Sequence, residues 1–522
     1  MNNQLKIFDT LLRDGSQSSD VNFSLRDKLE IVAALDEFGI DYIELGWPGS
    51  NPKDMGAFLE AEKLKLKNAK IVAFGSTRRK GIKAEEDPNL NAILESKAKI
   101  ACIFGKTILD HIKLQLKTTP EENLLAIEES IKFLKSKNLE VFYDLEHFFD
   151  GYKDDKEYAL NCLATASKAG ADVLVLCDTN GGTLPSEFKT ITQEVKEYLG
   201  KNNIETELGI HTHNDSGTAI ANALVAVDLG ITHVQGTVNG FGERAGNADL
   251  CQLIPNLVIK KNIKLGKVDL KKLSTLSGLV YLLANIKQNN HQPFVGKNAF
   301  AHKGGIHVDA IMKGASYEHI DPQLVGNKRD IILSELSGKS NIVEVVKKFG
   351  YKLDKNDPKV KDMLNKVEEL EKKGYDIGDL KAEKFLLTEQ FFGNKNNLVE
   401  IESWKVTSEQ KNGEFSECSL KGKVDGKNKE IVDSVKGGPV DVIFKALKKM
   451  IATSHQPIEE VKLINFKVMM AEDLGAESSV RVYIEFKNGK EEWGTVGVNT
   501  NILEASFEAI EKGFRYYLLK NK

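Results

Sequence analysis

Little in this sequence is extreme, and each shortage excludes a class. No uninterrupted apolar run approaches the roughly 20 residues that a bilayer-spanning helix needs, so no membrane partner is expected. Met1 leads almost directly into a β-patterned run, without the charged-then-apolar leader of a secreted chain, and cytoplasmic residence is the expectation. Cysteine is scarce: Cys102, Cys162, Cys177, Cys251 and Cys418 lie far apart with no C-x-x-C pair, which excludes a disulfide framework and points to reduced, buried thiols. Charge of one sign is also missing, since 72 Lys and Arg stand against 76 Asp and Glu. That near balance, a formal net charge of -4, carries no nucleic-acid footprint. The Lys/Glu-rich runs Glu60–Lys70 and Lys366–Lys373 read as solvated helix faces.

What is present is length and order. At 522 residues one core cannot serve the whole chain, and two or three domains are expected. To about residue 260 one unit repeats: a β-branched run, a polar loop, an amphipathic helix. Strands are predicted at Leu5–Asp9, Asp41–Leu45, Lys70–Phe74, Lys99–Phe104, Glu140–Leu145, Asp172–Cys177, Glu207–His211 and His233–Val238. Helix signals fall between them: Ser24 as N-cap with Gly39 past the end, Thr119-Pro120-Glu121-Glu122, and Pro185 at a helix start. Eight β/α alternations are what a (β/α)8 TIM barrel requires. A helix is expected over Lys271–Asn290 and helical pattern again from Asn341 to about Lys373, around a glycine- and histidine-rich stretch at Gly296–Gly314. From about Phe385 strands and two helices follow in a weak internal repeat. Its strands read at Leu398–Val406, Glu417–Val424, Val461–Met469, Ser479–Lys487 and Glu491–Val498. The expected division is a barrel over 1–268, a small helical linker subdomain over 269–384, and an α+β module over 385–522. The last carries no obvious catalytic set, so regulation or assembly is its expected purpose.

In such barrels chemistry sits at the carboxyl ends of the strands. The residues there are Arg13 and Asp14, Glu44, Ser76, Lys106, Glu146 and His147, Asp178 and Thr179, His211 and His213, and then Asn239, Glu243 and Asn247. On a strand, His211 and His213 share a face about 6–7 Å apart. With Asp14 as a hard third ligand they suit Zn, Mn, Co or Fe with open positions left for substrate. The same pair would also serve as hydrogen-bonded strand-end histidines.

Four phrases give the chain a family likeness: Asp9-Thr10-Leu11-Leu12-Arg13-Asp14-Gly15, His211-Thr212-His213-Asn214-Asp215, Gly240-Phe241-Gly242-Glu243-Arg244-Ala245-Gly246-Asn247-Ala248 and Gly304-Gly305-Ile306-His307. Over nearly its whole length it resembles the acyl-CoA-dependent 2-oxoacid synthases, which include isopropylmalate, homocitrate and citramalate synthases. Gly46-Trp47-Pro48-Gly49-Ser50-Asn51-Pro52-Lys53-Asp54, Ile103-Phe104-Gly105-Lys106 and Glu146-His147-Phe148-Phe149-Asp150-Gly151-Tyr152 are most similar to the citramalate branch. Leu11 stands where threonine is usual and Ala245 where cysteine or threonine is common, and neither is an expected ligand.

The resemblance implies joining acetyl-CoA to pyruvate and water to give (R)-citramalate and CoA, in isoleucine synthesis. It implies a divalent ion (Mn, Zn, Mg or Co) on Asp14, His211 and His213 with Asn247 beside it. Arg13 would hydrogen-bond the developing oxyanion, with a structural ion pair as the other reading. Thr179 would hold the acceptor's carboxylate, or act as a helix cap. Glu146 and His307, with Tyr317 in support, would be the acid/base set; for His302 a catalytic and a local structural role stand equally. Selectivity is expected of Phe74, Phe104 and Tyr143, with Ser76 on the same rim, and should be modest between oxoacids differing by a methylene. A homodimer is implied, with His307 serving the neighbouring subunit's barrel, and an isoleucine or leucine effector near Gly438-Pro439-Val440-Asp441. The rivals are a 2-isopropylmalate or homocitrate synthase, a related barrel lyase or aldolase, and a non-catalytic amino-acid sensor.

Overall fold

Local chemistry starts the helices where the sequence signals them. Ser24 and Asp27 form a reciprocal capping box at helix Leu25–Phe38. Gly39 ends that helix at φ 102°, and a Cβ there would lie 2.4 Å from the Lys267 carbonyl oxygen, so the position excludes other residues. Thr119 caps Pro120–Ser136, and Pro185 occupies the first turn of Pro185–Lys201.

The coordinates are a computed structural model that describes residues 4–521 apart from 316, 379, 394–397, 411–413, 471–477 and 490. Eight parallel strands close into a barrel in sequence order. They are β1 (Lys6–Asp9), β2 (Tyr42–Gly46), β3 (Lys70–Ser76), β4 (Ile100–Lys106), β5 (Glu140–Glu146), β6 (Val173–Asp178), β7 (Glu207–Thr212) and β8 (His233–Gly236), with β8 pairing back onto β1. Strands β3 to β7 all outlast their apolar runs: Ser76 pairs with Phe104, Lys106 with Glu146, and Asp178 with Thr212. Ladder hydrogen bonds are indifferent to side-chain polarity, so Ser76, Lys106 and Glu146 lie on rigid strand ends instead of in the loops after them.

Alternate residues feed two separate apolar cores. Ile7, Ile43, Ala101, Val141, Leu174 and Ile210 pack outward against the helices. Phe8, Tyr42, Val72, Cys102, Phe142 and Val175 fill the barrel interior. Across its lower end Phe8, Tyr42, Phe142 and His233 meet with ring centroids 5.1–6.0 Å apart, as the layered filling of such barrels requires. Burial among these rings pushes His233 down to about 3, so it sits there neutral.

Lys28 ties the first two rim loops together. Its buried ammonium donates to the carbonyls of Leu12 and Leu45 at 3.0 and 3.1 Å and to Asp54 Oδ1 at 2.6 Å, while Asp54 Oδ2 accepts the Trp47 N–H at 3.0 Å. Replacing Lys28 with alanine strands a buried carboxylate and two carbonyls. A loss of about 3–5 kcal/mol is expected, read as a lower urea midpoint for the barrel.

Three expectations need correction. Glu60–Lys70 is not one helix face: the helix Pro52–Ala61 stops, and the Asp36 carboxylate takes up the N–H groups of Lys67, Asn68 and Ala69, fixing a loop. The helix after the barrel is shorter than Lys271–Asn290, running Leu273–Leu283 before Asn285 turns left-handed at φ 55°. The later helical stretch is two helices, Lys339–Lys348 and Pro358–Lys372, parted by Gly350 at φ 91° and by Pro358.

The chain forms two compact units, 1–300 with 320–328, and 301–319 with 329–522. The second begins with a short parallel pair, β9 (Ala301–His302) and β10 (Asp330–Ile331). It then repeats one theme: β11 (Val399–Gln410), β12 (Glu414–Val424) and β13 (Lys427–Val435) as an antiparallel sheet with helix Pro439–Ala452, then β14 (Lys462–Met470), β15 (Val480–Asn488) and β16 (Glu491–Asn499) with helix Ile502–Lys520. Strand β13 was not expected, because it is an edge strand with few apolar residues. Asp425-Gly426, both at positive φ, is the hairpin signal that announces it. Among the described residues no helix is long and apolar enough to cross a membrane.

Candidate active site

The barrel's C-terminal rim gathers most of the predicted residues. Asp14 follows β1, and β7 sends His211 and His213 to the same side, so the three meet although they are far apart in sequence. Asp14 Oδ2 lies 3.2 Å from His211 Nε2 and 3.6 Å from His213 Nε2, and the two Nε2 atoms are 3.2 Å apart. All three side chains are buried. Metal–ligand bonds of about 2.0–2.2 Å place donors roughly 3.0–3.6 Å from one another, so this triangle has the size a divalent ion needs.

The surroundings fit the same cation. His211 Nδ1 meets Gln235 Oε1 at 2.9 Å, which assigns the proton to Nδ1 and frees Nε2 as a ligand. Gln235 in turn donates across the barrel to Asp144 Oδ1 at 3.3 Å. Burial works against the Asp14 carboxylate, but the Arg13 charge and the His211 hydrogen bond reverse it, leaving the carboxyl well below its usual range. Burial, and then the charge of His211, push His213 down to about 4. Both are thereby in ligand form. His211 is drawn up by Asp14 against its burial, so it attracts a proton where a cation would stand. Asn247 bridges to the His213 backbone, and its buried Oδ1 accepts no hydrogen bond among the described residues. That approach requires Gly246, at φ 84°, where a Cβ would lie 1.9 Å from the Gly240 carbonyl oxygen.

Arg13 stands beside this cluster with both readings of it present. Its Nε donates to Glu44 Oε2 at 2.6 Å, and its Nη1 is 3.5 Å from Asp14 Oδ2. The Glu44 Oε1 atom is buried and accepts no hydrogen bond among the described residues. Burial pushes Glu44 up to about 7 even though Arg13 pulls the other way. The guanidinium lies 3.8 Å over the Phe74 ring, Phe74 stacks on Phe104 at 5.4 Å, and Trp47 meets both edge-on. Asn89 locks this aromatic wall, accepting from Trp47 Nε1 at 2.5 Å and donating to Ser76 Oγ at 3.2 Å.

Glu146 ends β5 in an ion pair with Lys106 at the end of β4. Thr179 Oγ1 accepts the N–H of His147, a residue held left-handed at φ 56°. Arg244 donates to the Thr179 carbonyl and pairs with Asp215, linking the loops after β6, β7 and β8. Tyr143 does not join the rim. Strand alternation turns it outward into the helix layer, fully buried, with its hydroxyl over Gly105. Leu11 is core, and Ala245 is exposed away from the ligands. In the second unit His302 pairs with Glu318 at 3.0 Å, and His307 stacks on Tyr317 at 4.3 Å, both exposed.

Gln235, Asp144, Trp47 and Asn89 were not foreseen. The first two sit at inward positions of strands already identified, so period-two counting from His233 and from Glu146 would have reached them. Trp47 stood only inside the phrase similar to the citramalate branch, with no role attached, and Asn89 carried no signal.

Residues 4–280 match the HMGL-like family, 294–375 the homocitrate synthase post-HMGL domain-like family, and 379–518 the LeuA allosteric (dimerisation) domain. The chain is 45% identical to an (R)-citramalate synthase of Sulfolobus acidocaldarius, spanning 99% of this chain and 97% of that one. It is likewise 45% identical to an (R)-citramalate synthase of Aquifex aeolicus over 100% and 99%. Identity to a probable 2-isopropylmalate synthase of Archaeoglobus fulgidus is 30%, over 98% and 97%.

Proposed function

The chain belongs to the (R)-citramalate synthase family, and from that premise we propose how its residues condense acetyl-CoA with pyruvate and water to give (R)-citramalate and CoA. The observation that carries the reading is the buried Asp14–His211–His213 triangle at the barrel mouth.

A divalent ion held there, with Asn247 Oδ1 at hand, supplies Lewis acidity to the ketone of the 2-oxoacid. Everything else falls to side chains. Arg13 spends its Nε on Glu44 and keeps its outer N–H groups for the ketone oxygen as that oxygen gains charge. The Thr179 oxygen already accepts one hydrogen bond, so its own proton is free for the acceptor's carboxylate. Glu146 takes a proton from the acetyl methyl group. The resulting enol carbon attacks the ketone carbon; as the C–C bond forms the C=O π pair moves onto the ketone oxygen, which takes a proton and stays in the product as its tertiary hydroxyl. Water then releases the CoA thiol. The wall of Phe74, Phe104 and Trp47 limits the acceptor's side chain. Ser76, fixed by Asn89, lines the same side.

His307, with Tyr317, completes the acid/base set from a second copy of the chain, and their exposure in their own unit supports that placement. On β14 the alternate residues Phe466, Val468 and Met470 are 37–58% exposed along one face, an apolar surface suited to a partner copy. A homodimer whose C-terminal domain senses isoleucine or leucine, working in the cytoplasm at the entry to isoleucine synthesis, fits these features. Mixing an Asp14→Ala chain with a His307→Ala chain, each inactive alone, should restore about a quarter of full activity, because half the dimers are mixed and each has one intact site. No recovery would overturn the shared site.

The reaction itself is tested by offering acetyl-CoA with pyruvate, 2-oxoisovalerate or 2-oxoglutarate and a panel of divalent ions, with and without isoleucine. Thiol release should be fastest with pyruvate and yield citramalate. Preference for the branched acceptor would move the chain to the 2-isopropylmalate synthases.

A further inference from the structure

His147, the first residue past β5, adopts a left-handed backbone at φ 56° and ψ 38°. Histidine enters that region more readily than most residues, whereas a β-branched residue is an outlier there. The turn is enforced from behind, because the residues that follow are claimed by the core. Phe148 and Phe149 are fully buried, and Phe149 stacks on Phe188 with ring centroids 4.7 Å apart. Gly151 lies so close to the Thr107 carbonyl that a Cβ would meet its oxygen at 2.7 Å. The helix Phe148–Asp154 therefore starts directly at the strand end. The His147 side chain does not cap that helix, so capping does not explain the residue. Its ring is anchored twice instead: Nδ1 meets Asp150 Oδ2 at 3.1 Å, and the His111 ring stands edge-on to it at 4.7 Å.

The consequence falls on a neighbouring loop. The register between β5 and β6 ends with Leu145 opposite Leu176, and the His147 N–H turns from the ladder onto Thr179 Oγ1 at 2.7 Å. Arg244 Nη2 holds the carbonyl of the same threonine at 2.8 Å. Thr179, half-buried just after β6, is thus gripped through both its side chain and its backbone. A hydroxyl has one proton and two lone pairs, so an oxygen that accepts a fixed N–H must send its own proton in another direction.

We infer that His147 is a positioning residue for the acceptor: its left-handed turn places a backbone N–H on Thr179 Oγ1 and so aims the Thr179 proton at the carboxylate of the 2-oxoacid. The side chain matters through the backbone state it permits, with Asp150 and His111 holding the ring while the peptide does the aiming. The inference rests on the role proposed above for Thr179 and adds what sets its direction.

The test reads the KM for pyruvate in His147→Val, a β-branched side chain that resists the turn. It should rise about tenfold, the loss of one well-aimed hydrogen bond to a charged group, with the KM for acetyl-CoA unmoved. His147→Asn and His147→Gly lack the imidazole but enter the left-handed region readily, so their KM should return to within about twofold of wild type. In a Thr179→Val background the same changes at residue 147 should leave the pyruvate KM alone, because the two positions act as one. Should His147→Val fail to fold, His147→Ala takes its place in the same cycle. Calorimetric titration of pyruvate into protein held in excess manganese(II) reads acceptor binding without turnover and should weaken and recover in the same order. A KM that His147→Val leaves unchanged, or raises equally in the Thr179→Val background, would overturn the inference and leave the reaction standing. If no oxoacid were turned over, the reaction would fall and the titration alone would decide: the same order of weakening upholds the positioning role, and equal or absent binding overturns it.

Discussion

His211→Ala should cost both the bound divalent ion and at least about a thousandfold in kcat, roughly 4 kcal/mol of barrier. The imidazole is one of three donors whose mutual distances of 3.2–3.6 Å match a single ion, and nothing else among the described residues can replace it. Atomic absorption after gel filtration reads the metal and thiol release reads turnover. Circular dichroism shows that the barrel persists. The variant Gln235→Leu separates ligand from support. It leaves all three donors in place but removes the acceptor that fixes the His211 tautomer, so metal affinity should fall about 10–100-fold and excess ion should restore activity. Full metal content and wild-type rate in His211→Ala would sink the assignment of the site.

Arg13→Gln should lower kcat by about 10²–10³ through loss of a preorganised donor at the developing oxyanion. It should also destabilise the barrel, because Glu44 is fully buried and would keep its second oxygen unpaired and lose the one cationic partner it has among the described residues. The two effects can be parted. In Arg13→Gln combined with Glu44→Gln the buried charge is gone, so the urea midpoint should recover while kcat stays low. Recovery of both would reduce Arg13 to a structural ion pair. Arg13→Lys should be little better than glutamine, since an ammonium cannot hold Glu44 and reach the substrate with one rigid fork.

The rim cluster also shows how far a linear reading carries. His211 and His213 share a face because strand alternation is a local rule, and Asp14 joins them because consecutive parallel strands carry their C-terminal ends to one side. Those facts were legible. That Lys106 pairs with Glu146 was not, since it depends on the register between β4 and β5. Tyr143 is the instructive failure. Parallel strands buried on both faces read as continuous apolar runs, so the pattern holds no mark of which parity faces the barrel axis. Closure of the sheet decides it, and Tyr143 falls on the helix side.

The Lys28 staple belongs to the same class of contact. A lysine in the first turn of a helix reads as a solvated side chain, and the convergence of two carbonyls and Asp54 makes it interior.

By itself, then, the order of residues settled the eightfold β/α alternation, the end of the barrel at which the polar strand-end residues gather, and the meeting of Asp14, His211 and His213 there, all of which follow from short-range periodicity and chain direction. Folding settled which parity lines the barrel, which acids meet which bases, and how the segment after the barrel divides between two compact units. Those depend on groups distant in sequence competing for the same neighbours, a competition resolved only when the sheet closes and its two cores pack.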